Sequence, residues 1–169
     1  MVISRTPFRV SFFGGGTDFP AWYRNNQGSV ISTTINKYCY ITVRNLPPFF
    51  KYKYKIRYYK SEEVNRIDKI IHPVVREVLR KNNVKKGIEI NHNADLPARS
   101  GLGSSSSFTV GLINGINANK KRLISKNGLA KKALFMEQSV LKENVGSQDQ
   151  VAAAYGGFNF ITFRKNLFK

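Results

Sequence analysis

Apolar and polar residues alternate from Val2 to Phe13 (VISRTPFRVSFF), a period of two that predicts a β-strand with one buried face. The strand runs into Gly14, Gly15 and Gly16. Such a triplet adopts positive φ without steric cost and lets backbone approach a ligand closely, so a turn or binding loop is expected there. Ser29 to Thr34 and Tyr38 to Arg44 are alternating and β-branched, and predict two further strands, ended by Pro47 and Pro48. Tyr52 to Tyr59 interleaves Lys and Arg with Tyr and Ile, the pattern of a strand whose basic face meets solvent.

Helical spacing begins at Pro73, a residue suited to the first turn of a helix. Val74, Val75, Val78 and Leu79 form an apolar stripe with Arg76, Glu77, Arg80 and Lys81 opposite, so this helix is expected to lie on a sheet. Gly87 to Asn93 alternates again as a strand. Phe108, Leu112, Ile113 and Ile116 then share one helical face, and Ser125 suits the N-cap of another helix marked by Leu129, Ala130, Ala133, Leu134 and Leu141. A helical stretch around Gln150 to Tyr155, a Gly156–Gly157 break and a strand from Phe158 to Phe163 follow. No internal repeat is present. The order mixes runs of strands with helices instead of alternating them strictly, which favours α+β over a doubly wound sheet.

At 169 residues the chain is long enough to bury one substantial core. Charge changes the picture more: 28 Lys and Arg face 10 Asp and Glu, a net +18. That field favours anionic partners, and its sign does not choose among nucleic acid, a membrane surface and phosphorylated metabolites. A proteome-wide basic bias or a missing acidic partner segment gives the same composition. No apolar run approaches the ~20 residues that cross a bilayer, so no membrane association is expected. The N-terminus lacks the marks of a secretory signal and the single Cys39 has no disulfide partner, which fits a reducing cytoplasm. Cys39 lies in an alternating stretch and reads as a small core residue. His72 and His92 are isolated, lack metal-ligand spacing, and read as structural.

The chemistry concentrates in Pro97 to Ser107 (PARSGLGSSSS). Gly101, Leu102 and Gly103 stand between a strand and an apolar-periodic helix, with Ser104, Ser105, Ser106 and Ser107 where the first helical turn belongs. Backbone N–H groups, the positive end of the helix dipole and several hydroxyls together make an anion site, and phosphate is its natural guest. The string lacks the Gly-Lys-Ser/Thr ending of the common nucleotide loop, and a dinucleotide reading would want glycine in place of Ser106.

The same string resembles the signature loop of the galactokinase, homoserine kinase, mevalonate kinase and phosphomevalonate kinase (GHMP) superfamily, Pro, three variable residues, then Gly-Leu-Gly-Ser-Ser. Two more segments match in order: RTPFRVSFFGGGTDF resembles the family's first strand and sugar-binding turn, and ENVGSQDQVAAAYGG the segment with its acidic catalytic residue. The wording GGGTDFPAW, GLGSSSSFTVGL and VGSQDQVAAAYGG is most similar to the branch acting on D-glycero-D-manno-heptose 7-phosphate, and the likeness runs across nearly the whole chain.

The resemblance implies an ATP- and Mg²⁺-dependent kinase for the anomeric C1 hydroxyl of that sugar. It implies a fold like domain two of ribosomal protein S5, a mixed sheet with helices on one face. Residue by residue, Gly101, Leu102, Gly103 and Ser104 to Ser107 would hold the ATP phosphates. Ser105 and Glu137, the latter twelve residues before Asp149, would be the Mg²⁺ ligands. Asp149 would face the attacking hydroxyl with Arg9 beside it, and Gly16, Thr17 and above all Asp18 would bind the sugar. Gly15 and Gly16 replace the Glu and His of the galactokinase wording, so contacts made by those side chains do not transfer, which argues against galactose. Arg57, Lys37 or Lys60 could meet the 7-phosphate.

Family members carry a second, C-terminal domain, so residues 1–169 are expected to be the N-terminal one. Its partners would be the phosphorylated sugar, the missing domain and a possible second copy of the chain. Exposure of the domain interface is expected to make this part fold or associate poorly alone. The rival is a nucleic-acid-binding domain resting on the charge and the Lys/Tyr-rich stretch at residues 51–60, although such a module has no need of the three ordered motifs.

Overall fold

The computed structural model describes residues 1–98 and 100–165. Its strands are β1 (Val2–Phe13), β2 (Gly28–Asn45), β3 (Tyr54–Arg57), β4 (Ser61–Val64), β5 (Ile88–Ala94) and β6 (Phe158–Phe163). Its α-helices are α1 (Pro20–Tyr23), α2 (Pro73–Lys81), α3 (Ser104–Asn119), α4 (Lys126–Leu134) and α5 (Gln148–Tyr155). The sheet runs β1-β2-β5-β3-β4, and β6 pairs with β2. β3 is parallel to β5 and the other pairings are antiparallel, which makes the sheet mixed, as expected.

β2 organises this sheet. Along one edge it pairs with β1, and along the other its first half, Gly28 to Thr33, takes β6 while its second half, Cys39 to Asn45, takes β5. The alternation pattern suggested two strands here, and the structure has one. Pro7 pairs with Tyr38 but Arg9 with Thr34, so β2 carries extra residues in a register shift. The buried positions of β2 change parity across this irregular stretch. Val30 and Ser32 are buried before it and Cys39, Ile41 and Val43 after it. The predicted strand at Tyr52 to Tyr59 shortens to β3 and folds back onto β4, a pairing that the charged sequence did not announce.

The core lies between the sheet and the helices. Phe8, Ile41, Val43, Ile56, Ile88 and Ile90 meet Val75, Val78 and Leu79 of α2 and Leu112, Ile113 and Ile116 of α3. The α2 stripe is buried as its spacing predicted. α3 is buried without a break from Ser106 to Ile113, so it is the central helix. Gly111 and Gly115 let it approach the sheet: a Cβ at Gly111 would stand 2.7 Å from the Thr6 hydroxyl, and one at Gly115 3.0 Å from Val43.

A smaller cluster of Tyr23, Val30 and Phe163, its two rings stacked at 5.7 Å, fastens α1 to the β2–β6 pair. Cys39 is a core residue and burial pushes its thiol up to about 12, leaving it inert. His72 and His92 pack on the Phe108 ring at 4.9 and 5.0 Å, and burial lowers both below the usual histidine range. Among the described residues no helix is long and apolar enough to cross a membrane.

Ser125 is the N-cap expected for α4, its hydroxyl accepting from the Gly128 N–H at 3.1 Å. Ser125→Ala is expected to cost about 1 kcal/mol of stability in urea unfolding. A loss of a few tenths or less would mean that water replaces the cap. Beyond Leu134 the predicted helix does not continue regularly to Leu141. It widens into a π-helical turn, Phe135–Val140, and such turns are frequent at functional sites because they re-aim side chains.

Candidate phosphoryl-transfer site

The glycine-serine loop delivers the chain from β5 to the start of α3. Gly103 takes the N-cap position in the left-handed region, φ 76°, and the first intrahelical bond runs from the Ser107 N–H to its carbonyl at 2.9 Å. The helix start has neither a side-chain cap nor an acidic residue in its first turn, and the positive end of its dipole suits an anion. Arg99, inside this loop, lies outside the described residues.

Arg9 of β1 ties the loop down. Its backbone N–H donates to the Leu102 carbonyl at 3.1 Å and Nη1 to the Gly101 carbonyl at 2.8 Å. The rest of the guanidinium grips Asp149 of α5 as a fork, Nε to Oδ1 at 2.7 Å and Nη2 to Oδ2 at 2.9 Å. Bidentate pairing fixes orientation as well as charge. A Cβ on Gly103 would stand 3.2 Å from Arg9 Cγ and 3.4 Å from Asp149 Oδ2, so the ion pair lies directly against the helix start.

Glu137 is carried on the π-helical turn and is 1% exposed. Ser106 donates to its Oε2 at 3.0 Å, as does the Gln150 amide, whereas Oε1 is buried without a hydrogen bond. Burial raises its pKa above the usual glutamate range. An orphaned oxygen on a buried carboxylate beside serine hydroxyls fits a hard cation such as Mg²⁺, which takes oxygen ligands and keeps several waters. The hydroxyl meeting Glu137 is that of Ser106; Ser105, singled out in the sequence as the companion ligand, is exposed on the first turn of α3.

Asp18 differs most from its expected place. It is 1% exposed, and its carboxylate accepts from the Gly16 N–H at 3.1 Å, the Ser147 N–H at 3.0 Å and the Gln148 N–H at 3.1 Å. It clamps the glycine turn to the start of α5, where Ser147 also meets Tyr23 and Gln138 through its hydroxyl. Gly146 is required there, since a Cβ would fall 2.0 Å from Asp18 Oδ2. The Thr17 hydroxyl is engaged too, with the Gly14 carbonyl at 2.7 Å and the Ser29 N–H at 3.1 Å. Both side chains are thus committed to holding the turn.

Between the turn and the glycine-serine loop lies a cavity of about 420 Å³ lined by Arg9, Ser11, Gly14, Gly15, Gly101 and Gln148, among others. Gln148 was not singled out in the sequence, although it adjoins Asp149. Its Oε1 is buried without a hydrogen-bond partner. Lys37, Arg57 and Lys60 do not line this cavity.

The chain matches the family model described as GHMP kinases N terminal domain over residues 67–157. It is 27% identical to the D-glycero-alpha-D-manno-heptose 7-phosphate kinase of Campylobacter jejuni over 96% of its own length and 51% of that protein, so it spans about half the length of this curated relative. A solved D-glycero-D-manno-heptose 1-phosphate kinase from Bacteriodes thetaiotaomicron superposes with a TM-score of 0.87 at 26% identity, covering 98% of this chain and 57% of that one. The Methanococcus jannaschii mevalonate kinase shares the fold, with a TM-score of 0.74 at 20% identity over 98% of this chain and 54% of its own. With the loop, the forked Arg9–Asp149 pair and the family match converging on one end of α3, this chain belongs to the GHMP kinases as an N-terminal domain of that family.

Proposed function

We propose that this chain carries the ATP- and sugar-binding part of a kinase that phosphorylates the anomeric C1 hydroxyl of D-glycero-D-manno-heptose 7-phosphate, a step toward nucleotide-activated heptose. The observation that carries the reading is the Arg9–Asp149 fork set against Gly103 at the start of α3, which puts a carboxylate beside a phosphate-binding helix terminus. The sugar is inferred from the likeness to heptose-phosphate kinases.

In this reading Gly101 to Gly103 and Ser104 to Ser107 hold the ATP phosphates through backbone N–H groups and hydroxyls. Glu137, steadied by Ser106 and Gln150, holds Mg²⁺ with the help of the exposed Ser105 hydroxyl. Mg²⁺ supplies charge neutralisation at the phosphate oxygens. Asp149, aimed by Arg9, orients the attacking hydroxyl or takes its proton, the positioning that phosphoryl transfer chiefly needs. Gln148 and the turn backbone at Gly14 and Gly15 meet the sugar, while Asp18 supports them from beneath. Phe13, Ile31 and Phe160 pair across β1, β2 and β6 as a row, with Phe13 and Phe160 exposed. A second lobe would cover them.

Coupled ADP release from the complete polypeptide, with heptose 7-phosphate, heptose 1-phosphate, galactose and mevalonate as acceptors, tests the assignment. Turnover is expected with the 7-phosphate. Turnover confined to the 1-phosphate would move the reacting hydroxyl, and none with any heptose would overturn the substrate.

Glu137 gives the site a pH signature. Its folded pKa is raised by burial, so its contribution to metal-free stability is full below the usual glutamate range and is lost as pH rises through the raised value. Mg²⁺ competes with that proton. Stabilisation by Mg·ATP in thermal melts is therefore expected to grow as pH rises through the same window, and to lose this dependence in Glu137→Gln. An unchanged profile in the variant would remove Glu137 from the metal site.

A further inference from the structure

The opposite end of α3 carries a second concentration of unused chemistry. Sixteen helical residues separate it from the candidate site, about 24 Å at the usual rise. A cavity of about 410 Å³ there has Val84, Ile88 and Ile116 in its walls and Lys85, Lys86 and Arg122 among its polar lining. A neighbouring cavity of about 430 Å³ is lined by Phe50, Tyr52 and Lys53. Asn45 and Lys86 line both, so the two adjoin as one groove.

No Asp or Glu lines either cavity. Among the described residues Lys53, Lys85, Lys86 and Arg122 form no salt bridge. Cations near the ends of α2 and α3 offset the helix dipoles, and Lys120, which donates to the Asn82 carbonyl at the end of α2, does this. That explanation does not extend to Lys53, which lies just before β3, or to Lys86, just before β5. Along the second cavity the rings form a ladder. Phe49, 77% exposed, stacks on Phe50 at 4.5 Å, and Phe50 stands 5.4 Å from Tyr52.

We propose that this groove binds single-stranded nucleic acid, with a base stacked on Phe49 at the open end of the ring ladder and phosphates along Lys53, Lys86, Lys85 and Arg122. An exposed aromatic ring at the end of a ladder, beside unpaired cations, suits an unpaired strand, because every base offers a π-face and every linkage a charge. A duplex would present its phosphates to the lysines and nothing to the rings. Recognition of this kind is tolerant of sequence. The proposal is independent of the kinase reading, since it shares no residue with the site around Gly103.

Fluorescence anisotropy with labelled oligo-uridine of about ten nucleotides, within the usual span of such sites, tests it. Saturable binding that weakens with salt is expected, and the Lys85→Ala/Lys86→Ala double variant should reduce the salt slope by about 1.4, at 0.7 per phosphate. Phe49→Ala should weaken binding about tenfold, within the range for a lost base stack, while Phe49→Trp retains it. This side chain is exposed, and a thermal melt of the variant shows that folding is intact. Equal affinity for heparin or duplex RNA, indifference to the Phe49 deletion, or absence of saturable binding would each overturn the proposal.

Discussion

Asp149→Asn in the complete polypeptide is expected to lower kcat for ATP-dependent phosphoryl transfer by about a thousandfold, in the range for a lost positioned acid or base, while ATP affinity changes by no more than a few-fold. The asymmetry follows from where the carboxylate lies. Asp149 is gripped on both oxygens by Arg9, which also binds the Gly101 carbonyl, whereas the groups proposed to hold the ATP phosphates belong to the start of α3. Asparagine keeps the shape but gives up the charge and turns one oxygen into a donor that faces Arg9. Arg9→Lys should repeat part of the loss, because an ammonium cannot make the fork. Steady-state kinetics with separate kcat and KM provides the check. Turnover within threefold of the parent would show that Asp149 is a helix-start carboxylate and no more.

Asp18 carries the second large effect, and it is one of stability. Its buried carboxylate satisfies three backbone N–H groups from two segments separated by 129 and 130 residues for the pair at α5. Asp18→Ala leaves the Gly16 and Gln148 N–H groups without an acceptor, while the Ser147 N–H keeps the Asp18 backbone carbonyl at 2.9 Å, an expected loss of about 3 kcal/mol given 1–3 kcal/mol per unsatisfied buried group and partial relaxation. Gly146→Ala attacks the same joint from the other side by placing a methyl 2.0 Å from Oδ2. The two changes break one contact, so the double variant should be far less destabilised than the sum. Denaturant unfolding measures this. An Asp18→Ala protein that melts like the parent, with only KM for the sugar raised, would restore Asp18 as a direct sugar ligand.

Much of the fold was legible because local periodicity survives folding. The α2 stripe, the central helix behind the serine run, the Ser125 cap and the closing strand all stand where spacing and punctuation put them. Failures came where a local rule met a non-local one. β2 read as two strands because its buried positions change parity midway, in the stretch where its register against β1 is irregular. β4 carries charges that alternation ignores, yet it is held by pairing with β3. The π-helical turn has no spacing signal of its own, and its effect is to bring Glu137 under Ser106.

By itself the sequence determined that the loop opens a helix with the character of an anion site, since glycines before a serine-rich helix start suit an anion by local geometry alone. Its ordered motifs also determined the family. Only the tertiary structure decided which side chains meet. It brought Arg9 to Asp149 across 140 residues, put Ser106 instead of Ser105 on Glu137, and buried Asp18 as a clamp. It also assembled the lysines and rings at the far end of α3 into one groove. The physical reason is the same throughout. Helix and strand propensity act over a few residues, whereas burial and hydrogen-bond satisfaction are settled by sheet register and by the helix packed upon it.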